Sequence, residues 1–516
     1  MIALTVLCCV LVAVIHRFLQ YRRAVAAIQD LPGYRILLWQ GGALANFLLP
    51  PVSGISPGVN HIFRNKYKMY EDWGRDVFSS VCVWPQVQIG LTLANAAAVK
   101  EVTSSRARFP KPTHDYRVLS FFGRNIVGSE GEEWKRYRKI AAPAFSERNN
   151  RMVWETSVKV VEDMFNLVWR DQDTISVDHC VDVTLPIALF IIGVAGFGRK
   201  VSWEDDEAIP SGHLLTFKNA LHVVTTQVVL KLIVPDRLFG MTEHLRNVRL
   251  AFDELRQYMK EMIDERQNSD KGLKHDLFNS LLDANDVDDL SQRLTDDELL
   301  GNIFIFLVAG HETTSHTLCF AFALLALYPE EQDKLHHHIM GVLSDKTVPT
   351  YDQMPQLTHS MAVFNETLRM FPPVPTIPKI SAEDTTLVTE NSNGERQTIP
   401  VPKGTKIIIN TVGLHYNQKY WHDPSTFKPS RFLGDWPRDA FQPYSSGARA
   451  CLGRRFFETE GIAILTMLVA RYKIEVKEEP QFVGETFEER KARILTTRPG
   501  LTLTPVRVPL VFKRRV

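Results

Sequence analysis

A mainly α-helical fold with small β-sheets is what this sequence predicts, on three observations. Apolar residues recur at helical spacing through most of the chain after Trp73. One segment, Ile303 to Leu325, is apolar nearly all round and so must be buried. Strand-like patterning is confined to two short regions.

The chain opens with Met1 to Ile15, apolar apart from Thr5, and Arg17, Arg22 and Arg23 follow. As a helix, Met1 to Leu19 would span about 28 Å, close to the hydrocarbon thickness of a bilayer. A cleaved signal peptide competes with this reading, but it needs positive charge before the apolar run rather than after it. Positive charge on the downstream flank keeps that side in the cytosol. Residues 1–20 therefore read as a single-pass membrane anchor and residues 21–60 as a linker and membrane-proximal segment. Within the latter, the greasy stretch Ile36 to Ile55 is broken by Gly41, Gly42, Pro50 and Pro51. It is too interrupted to span and is expected to lie on the membrane surface.

A first β-like region falls at Val81 to Leu93, and a second at Thr385 to Asn410. In the second, Asn393-Gly394 is a hairpin signature and Lys403-Gly404 turns the chain into Thr405 to Asn410. The long helix starts at Thr295, which forms a capping box with Glu298, and stops at Tyr328-Pro329. At about 50 Å it crosses a whole domain. The length alone suggests about three domains. With no linker, repeat or charge block after Trp73, residues 61–516 instead read as one domain wrapped around that helix.

Composition narrows the function. With 45% hydrophobic and 23% charged residues the chain is ordinary globular protein. Sixty basic against fifty-nine acidic side chains leave a net charge of +1, which argues against nucleic acid as a partner. The six cysteines form no disulfide framework and no metal knuckle, so a reducing compartment is expected.

Two segments carry chemistry. Mid-helix, the chain reads Ala309-Gly310-His311-Glu312-Thr313-Thr314. A helix-interior Gly weakens the helix by roughly 1 kcal/mol, and a carboxylate among apolar residues needs a partner. Thr313 is placed to bond back to the Ala309 carbonyl, which bends or opens a helix. A kinked helix with a satisfied core Glu would look the same. A zinc site is a poor reading, because His311 and His316 are five apart and about 140° apart on a helix. His336, His337 and His338 likewise point in different directions and suit a solvated face. Near the C-terminus, Tyr444-Ser445-Ser446-Gly447-Ala448-Arg449-Ala450-Cys451-Leu452-Gly453 places a cysteine in a glycine-bounded loop before a periodic apolar segment. N–H groups at a helix start favour a thiolate. Gly447 and Gly453 permit positive φ and the close approach of a flat ligand. Arg449 offers fixed positive charge to a carboxylate.

The last segment resembles the haem-binding loop of the cytochrome P-450 family, Phe-x-x-Gly-x-Arg-x-Cys-x-Gly, with Tyr444 in the Phe place. Four further marks agree in order and spacing. Glu366-Thr367-Leu368-Arg369 matches Glu-x-x-Arg, and Pro429-Ser430-Arg431-Phe432 matches Pro-x-Arg-Phe. The long-helix motif matches Ala-Gly-x-(Asp/Glu)-Thr-Thr, and Trp134 with Arg138 matches Trp-x-x-x-Arg. The resemblance covers the chain after the anchor. It implies the cytochrome P-450 fold, with haem b between the long central helix and the Cys-loop helix.

By that resemblance, Cys451 is the iron ligand, and thiolate donation favours O–O cleavage. Arg449, Trp134 and Arg138 hold the haem propionates, with Lys379 where many relatives carry an Arg. Tyr444 keeps an aromatic plate over the proximal side of the haem, Gly447 and Gly453 let it approach closely, and Glu366, Arg369 and Arg431 form a buried network under it. Glu312 and Thr313 are the catalytic pair that organises water and supplies protons, beside a helix opened at Gly310. Pocket walls are implied at Arg108 to Ile126, Val374 to Pro378 and the tip near Ile494 to Thr497. There Phe121, Phe122, Ile126, Val374 and Ile377 suit a lipophilic substrate. The expected activity is a monooxygenase of fungal, microsomal style, acting on a terpenoid or other secondary metabolite. It would sit in the endoplasmic reticulum membrane and draw electrons from NADPH-cytochrome P-450 reductase, which Arg454 and Arg455 would help to dock. A reductase-independent isomerase or dehydratase, and a membrane-tethered haem sensor, are the alternatives.

Overall fold

The N-terminal helix runs from Ile2 to Ala27 in the computed structural model, well past the predicted end at residue 20. Arg22 to Ala27 contain no helix stop. The chain turns only at Gln29 and Asp30, both at positive φ. None of the helix's residues is buried, and it is long and apolar enough to cross a membrane. The structure describes residues 1–40, 49–170, 172–198, 203, 209–268, 277–283, 293–344, 348–390 and 394–515. Gly41, Gly42 and Asn393 of the sequence reading lie outside them.

The described chain divides into two compact units, each assembled from three stretches of sequence. One comprises Met1–Pro112, Arg369–Thr426 and Trp436–Cys451. It holds a five-stranded mixed sheet in the order Gly33–Leu38, Val77–Trp84, Gln88–Leu93, Lys406–Asn410, Thr376–Ile380. The strand Gly33–Leu38 runs parallel to Val77–Trp84 in the register Gly33 to Ser79. This corrects the membrane-surface reading of Ile36 to Ile55, because Ile36 is buried in the sheet. Leu37, Val52 and Ile55 of that stretch stay exposed. Thr385–Glu390 and Arg396–Val401 pair antiparallel, as the hairpin signature predicts, with Gly394 at φ 78°.

The other unit comprises Thr113–Leu368, Phe427–Asp435 and Leu452–Val516 and is dominated by helices. Its axis is the helix Asp296–Leu327, capped by Thr295 with the predicted capping box. The helix is buried over most of its length, which offsets the entropy of ordering so long an element. Its first turn is anchored by side chains. Glu298 accepts from the Tyr137 hydroxyl at 2.7 Å and pairs with Arg136, both on the helix Gly131–Ala141. Asn302 Oδ1 accepts from the Ile126 amide at 3.0 Å. Near the C-terminus, Thr497–Arg498 pairs with Thr504–Pro505, so the turn of this hairpin lies at 499–503. The sequence reading put the tip at 494–497. Ile494 instead closes the helix Phe487–Ile494 and is fully buried.

Candidate active site

In the first unit, Cys451 ends a loop whose shape is set by its backbone. Its amide donates to the Tyr444 carbonyl at 2.9 Å, Ser445 has φ 60° and Gly447 φ 67°. A Cβ on Gly447 would stand 2.4 Å from the Thr103 carbonyl oxygen. Only glycine satisfies both the left-handed backbone and that approach. The Ser446 hydroxyl bonds Thr103 Oγ1 at 2.9 Å and ties the loop to the helix Ala96–Ser104. Gly453 departs from expectation: it has φ −85°, caps the helix Arg454–Arg471 and needs no special backbone region. Arg449 is half-buried. Lys379, mid-strand in Thr376–Ile380, is 2% exposed. Arg369, fully buried, donates through Nη1 to the His415 carbonyl at 2.9 Å, with its guanidinium 5.6 Å from the Trp421 ring.

In the second unit, Glu366 is fully buried and accepts from Arg431 Nε at 3.2 Å and from the Lys428 amide at 3.0 Å. The guanidinium of Arg138 lies 5.7 Å from the ring of buried Trp134, one turn earlier on the same helix. The long helix carries a stripe that the protein does not cover. Phe306, Gly310 and Thr313 are half-buried and Ala309 is exposed, while the residues around them are buried. Positions 306, 309, 310 and 313 share one helical face. The Thr313 hydroxyl donates to the Ala309 carbonyl at 2.7 Å, the back-bond that its position predicts. The helix nevertheless continues unbroken through Gly310, where an opening was expected. Gly310 has a different use: a Cβ there would stand 2.8 Å from Ile192 Cδ1.

Glu312 is buried, and burial pushes its carboxyl up to about 7. Thr502 Oγ1 donates to Glu312 Oε1 at 3.2 Å, while Oε2 is buried with no hydrogen-bond partner among the described residues. Two residues on, Thr314 Oγ1 lies 3.0 Å from the Gly310 carbonyl and 3.1 Å from Glu460 Oε2. A single hydroxyl proton cannot serve both acceptors. Glu460 is fully buried, and burial holds its carboxyl well above the usual carboxylate range.

His311 Nδ1 bonds the Leu307 carbonyl at 2.8 Å, and His316 Nδ1 bonds Thr502 Oγ1 at 2.8 Å. In the His336–His338 run, His338 stacks on His359 with ring centroids 3.9 Å apart. Among the described residues, no three His, Cys, Asp or Glu side chains gather as a metal cage. Cys82, Cys180 and Cys319 are buried, and Cys8 and Cys9 sit on the N-terminal helix. Cys451, exposed beyond a glycine-shaped loop, is the thiol that fits a haem iron. Of the implied pocket walls, Phe122 proves to be core. It stacks on Phe252 at an interplanar angle of 6° and packs on Phe304 at 4.6 Å.

Sequence reasoning missed Thr502, Glu460 and His316. Glu460 left a trace, as the second of two carboxylates, with Glu458, before the apolar run that starts at Ile462. Thr502 left none.

A family model described as Cytochrome P-450 matches residues 51–504. Cytochrome P-450 monooxygenase 124 of Postia placenta is 50% identical over 505 residues, 97% of either chain. Cytochrome P-450 monooxygenase ORF6 of Penicillium roqueforti is 29% identical over 486 residues, 85% of this chain and 82% of that one. The crystal structure of the cytochrome P-450DA heme domain matches with a TM-score of 0.73 at 22% identity. It covers 88% of this chain and 93% of that one, and at that identity it bears on the fold alone.

Proposed function

The chain belongs to the cytochrome P-450 family, and on that premise we propose that it is a membrane-anchored monooxygenase of a lipophilic small molecule, driven by NADPH-cytochrome P-450 reductase. Membership carries with it the fold, the haem b cofactor and the class of an oxygen-incorporating oxidoreductase. The single observation that carries the assignment of the site is exposed Cys451 at the end of a loop that requires glycine at 447.

In this reading residues 61–516 form one catalytic domain behind the anchor at 1–20 and the linker at 21–60. Cys451 ligates the iron, and the bound haem supplies the oxidising chemistry. Arg449, Arg138 and Trp134 hold its propionates, and Lys379 adds a point charge in place of a fork. Tyr444, Gly447 and Gly453 lie against the proximal side of the haem, and the Glu366–Arg431 pair with Arg369 stiffens its surroundings. Glu312 acts as proton donor, since a carboxyl poised near neutrality both holds and releases a proton at working pH. Thr313, back-bonded to Ala309 on the uncovered stripe, holds water for that transfer. Phe121, Ile126, Val374 and Ile377 give the substrate apolar walls.

The exposed arginines Arg454 and Arg455 support a docking role for the reductase, although Arg454 also pairs with Glu458 at 2.8 Å. The apolar N-terminal helix fits the endoplasmic reticulum membrane. The substrate class proposed is a terpenoid or other secondary metabolite, and the named fungal relatives share the monooxygenase class. To test the reading, the full chain is reconstituted with haem, reductase, NADPH and isotopically heavy dioxygen, together with terpenoids that shift its Soret band. One heavy oxygen atom in the product is expected. Conversion with reductase omitted would identify an isomerase or dehydratase, and binding without any product a haem sensor.

A further inference from the structure

Behind Glu312 the structure continues as a chain of three hydrogen-bonding groups drawn from two remote parts of the sequence. Thr502 Oγ1, in the turn of the C-terminal hairpin, lies 3.2 Å from Glu312 Oε1 and 2.8 Å from His316 Nδ1. All three side chains are buried, and His316 retains 5% exposure. A hydroxyl between a carboxyl oxygen and an imidazole nitrogen can be bonded in two ways. With Glu312 ionised, His316 Nδ1–H donates to Thr502 and Thr502 donates to Glu312. With Glu312 protonated, Glu312 donates to Thr502, Thr502 donates to Nδ1, and the imidazole proton sits on Nε2. Both arrangements use the same two contacts, from Glu312 Oε1 to Thr502 Oγ1 and from Thr502 Oγ1 to His316 Nδ1.

We propose that Thr502 and His316 form a proton wire behind Glu312, recharging its carboxyl from the side of the protein that carries His179 and His222. The step balances as follows. A solvent proton adds at His316 Nε2, Nδ1–H passes to Thr502 Oγ1, and the former Thr502 proton passes to Glu312 Oε1. Glu312 ends neutral, His316 has changed tautomer, and no charge remains in between. The imidazole stays neutral because burial lowers it to about 3, with neighbouring His311, His179, Arg498 and His222 all disfavouring its charged form. Arg498 also acts on Glu312, and Asp182 on His179 and His222. His179 is half-buried, and His222 and Arg498 are exposed, so this flank meets solvent. His311 is not part of the wire, since its Nδ1 is bonded to the Leu307 carbonyl.

The proposal rests on Glu312 as proton donor, and its test keeps the two apart. In the haem-loaded full chain, the carboxylic-acid carbonyl stretch of Glu312 is identified by infrared difference against Glu312→Gln. It is then followed through a rapid pH drop. His316→Asn keeps a donor at the δ position for Thr502 but has no second tautomer. It should leave the titration midpoint of Glu312 unchanged and slow its protonation roughly tenfold or more. Thr502→Val should slow it as much and move the midpoint upward, since the Thr502 bond lowers it. Thr502→Ser should restore both. Wild-type protonation rates in His316→Asn or in Thr502→Val would overturn the wire. The role of Glu312 is judged separately, by hydrogen peroxide formed per NADPH in Glu312→Gln.

Discussion

The Cys451 loop and the middle of the long helix are shaped by different means. The loop is a local object: its hydrogen bond from Cys451 to Tyr444, its positive φ at Ser445 and Gly447, and the exposed Cys451 thiol fall within eight residues of chain. Its long-range ties include the carbonyl and the hydroxyl of Thr103. The helix segment is a meeting point. Glu312, Thr314 and Ser315 reach partners at Thr502, Glu460 and Thr184, so its chemistry depends on three other stretches of the chain. The loop therefore presents its thiol by backbone geometry, and the helix sets proton affinities by burial and borrowed hydroxyls.

Changes in the loop should act through the cofactor. Cys451→Ala is expected to lower product formation under NADPH and dioxygen to the background of haem-free protein. Turnover above that background would break the assignment of this loop. Gly447→Ala forces a side chain into left-handed backbone against Thr103, a cost of more than about 3 kcal/mol. Lower haem content and a lower thermal midpoint are the expected readouts, and wild-type values for both would remove the geometric argument.

Changes in the helix should leave the cofactor bound and alter its protons. Glu312 has a folded value of about 7 against an ordinary 4.5, so between those pH values the native chain binds a proton that the unfolded chain releases. Its contribution is fully present below about 4.5 and declines as pH rises towards 7 and beyond, by about 3 kcal/mol in all. Glu312→Gln should flatten this decline in chemical denaturation measured between those limits; an undiminished slope would place the proton elsewhere. Thr313→Ala, the mildest change, should keep haem and release several-fold more peroxide per NADPH. If a helix variant lost its haem as the loop variants do, the contrast between the two regions would fail.

The same contrast explains what could be read from the chain. The capping box at Thr295, the hairpin about Gly394 and the Thr313 back-bond are short-range, and each is found as its residues predict. The strand Gly33–Leu38 was hidden, because its apolar run resembles a membrane-surface segment until its parallel partner near Ser79 is known. Thr502 was hidden for the same reason: a threonine is unremarkable until a fold brings it to a buried carboxyl. Gly453 misled because a helix N-cap and a ligand-hugging turn both accept glycine.

The most direct test of the account is the carbon-monoxide difference spectrum of the reduced, haem-loaded full chain. Thiolate ligation through Cys451 predicts the strongly red-shifted Soret band that sulfur donation produces, at one haem per chain. A Soret band at the position given by imidazole-ligated haem, or a chain that stays colourless with excess haem, would contradict it.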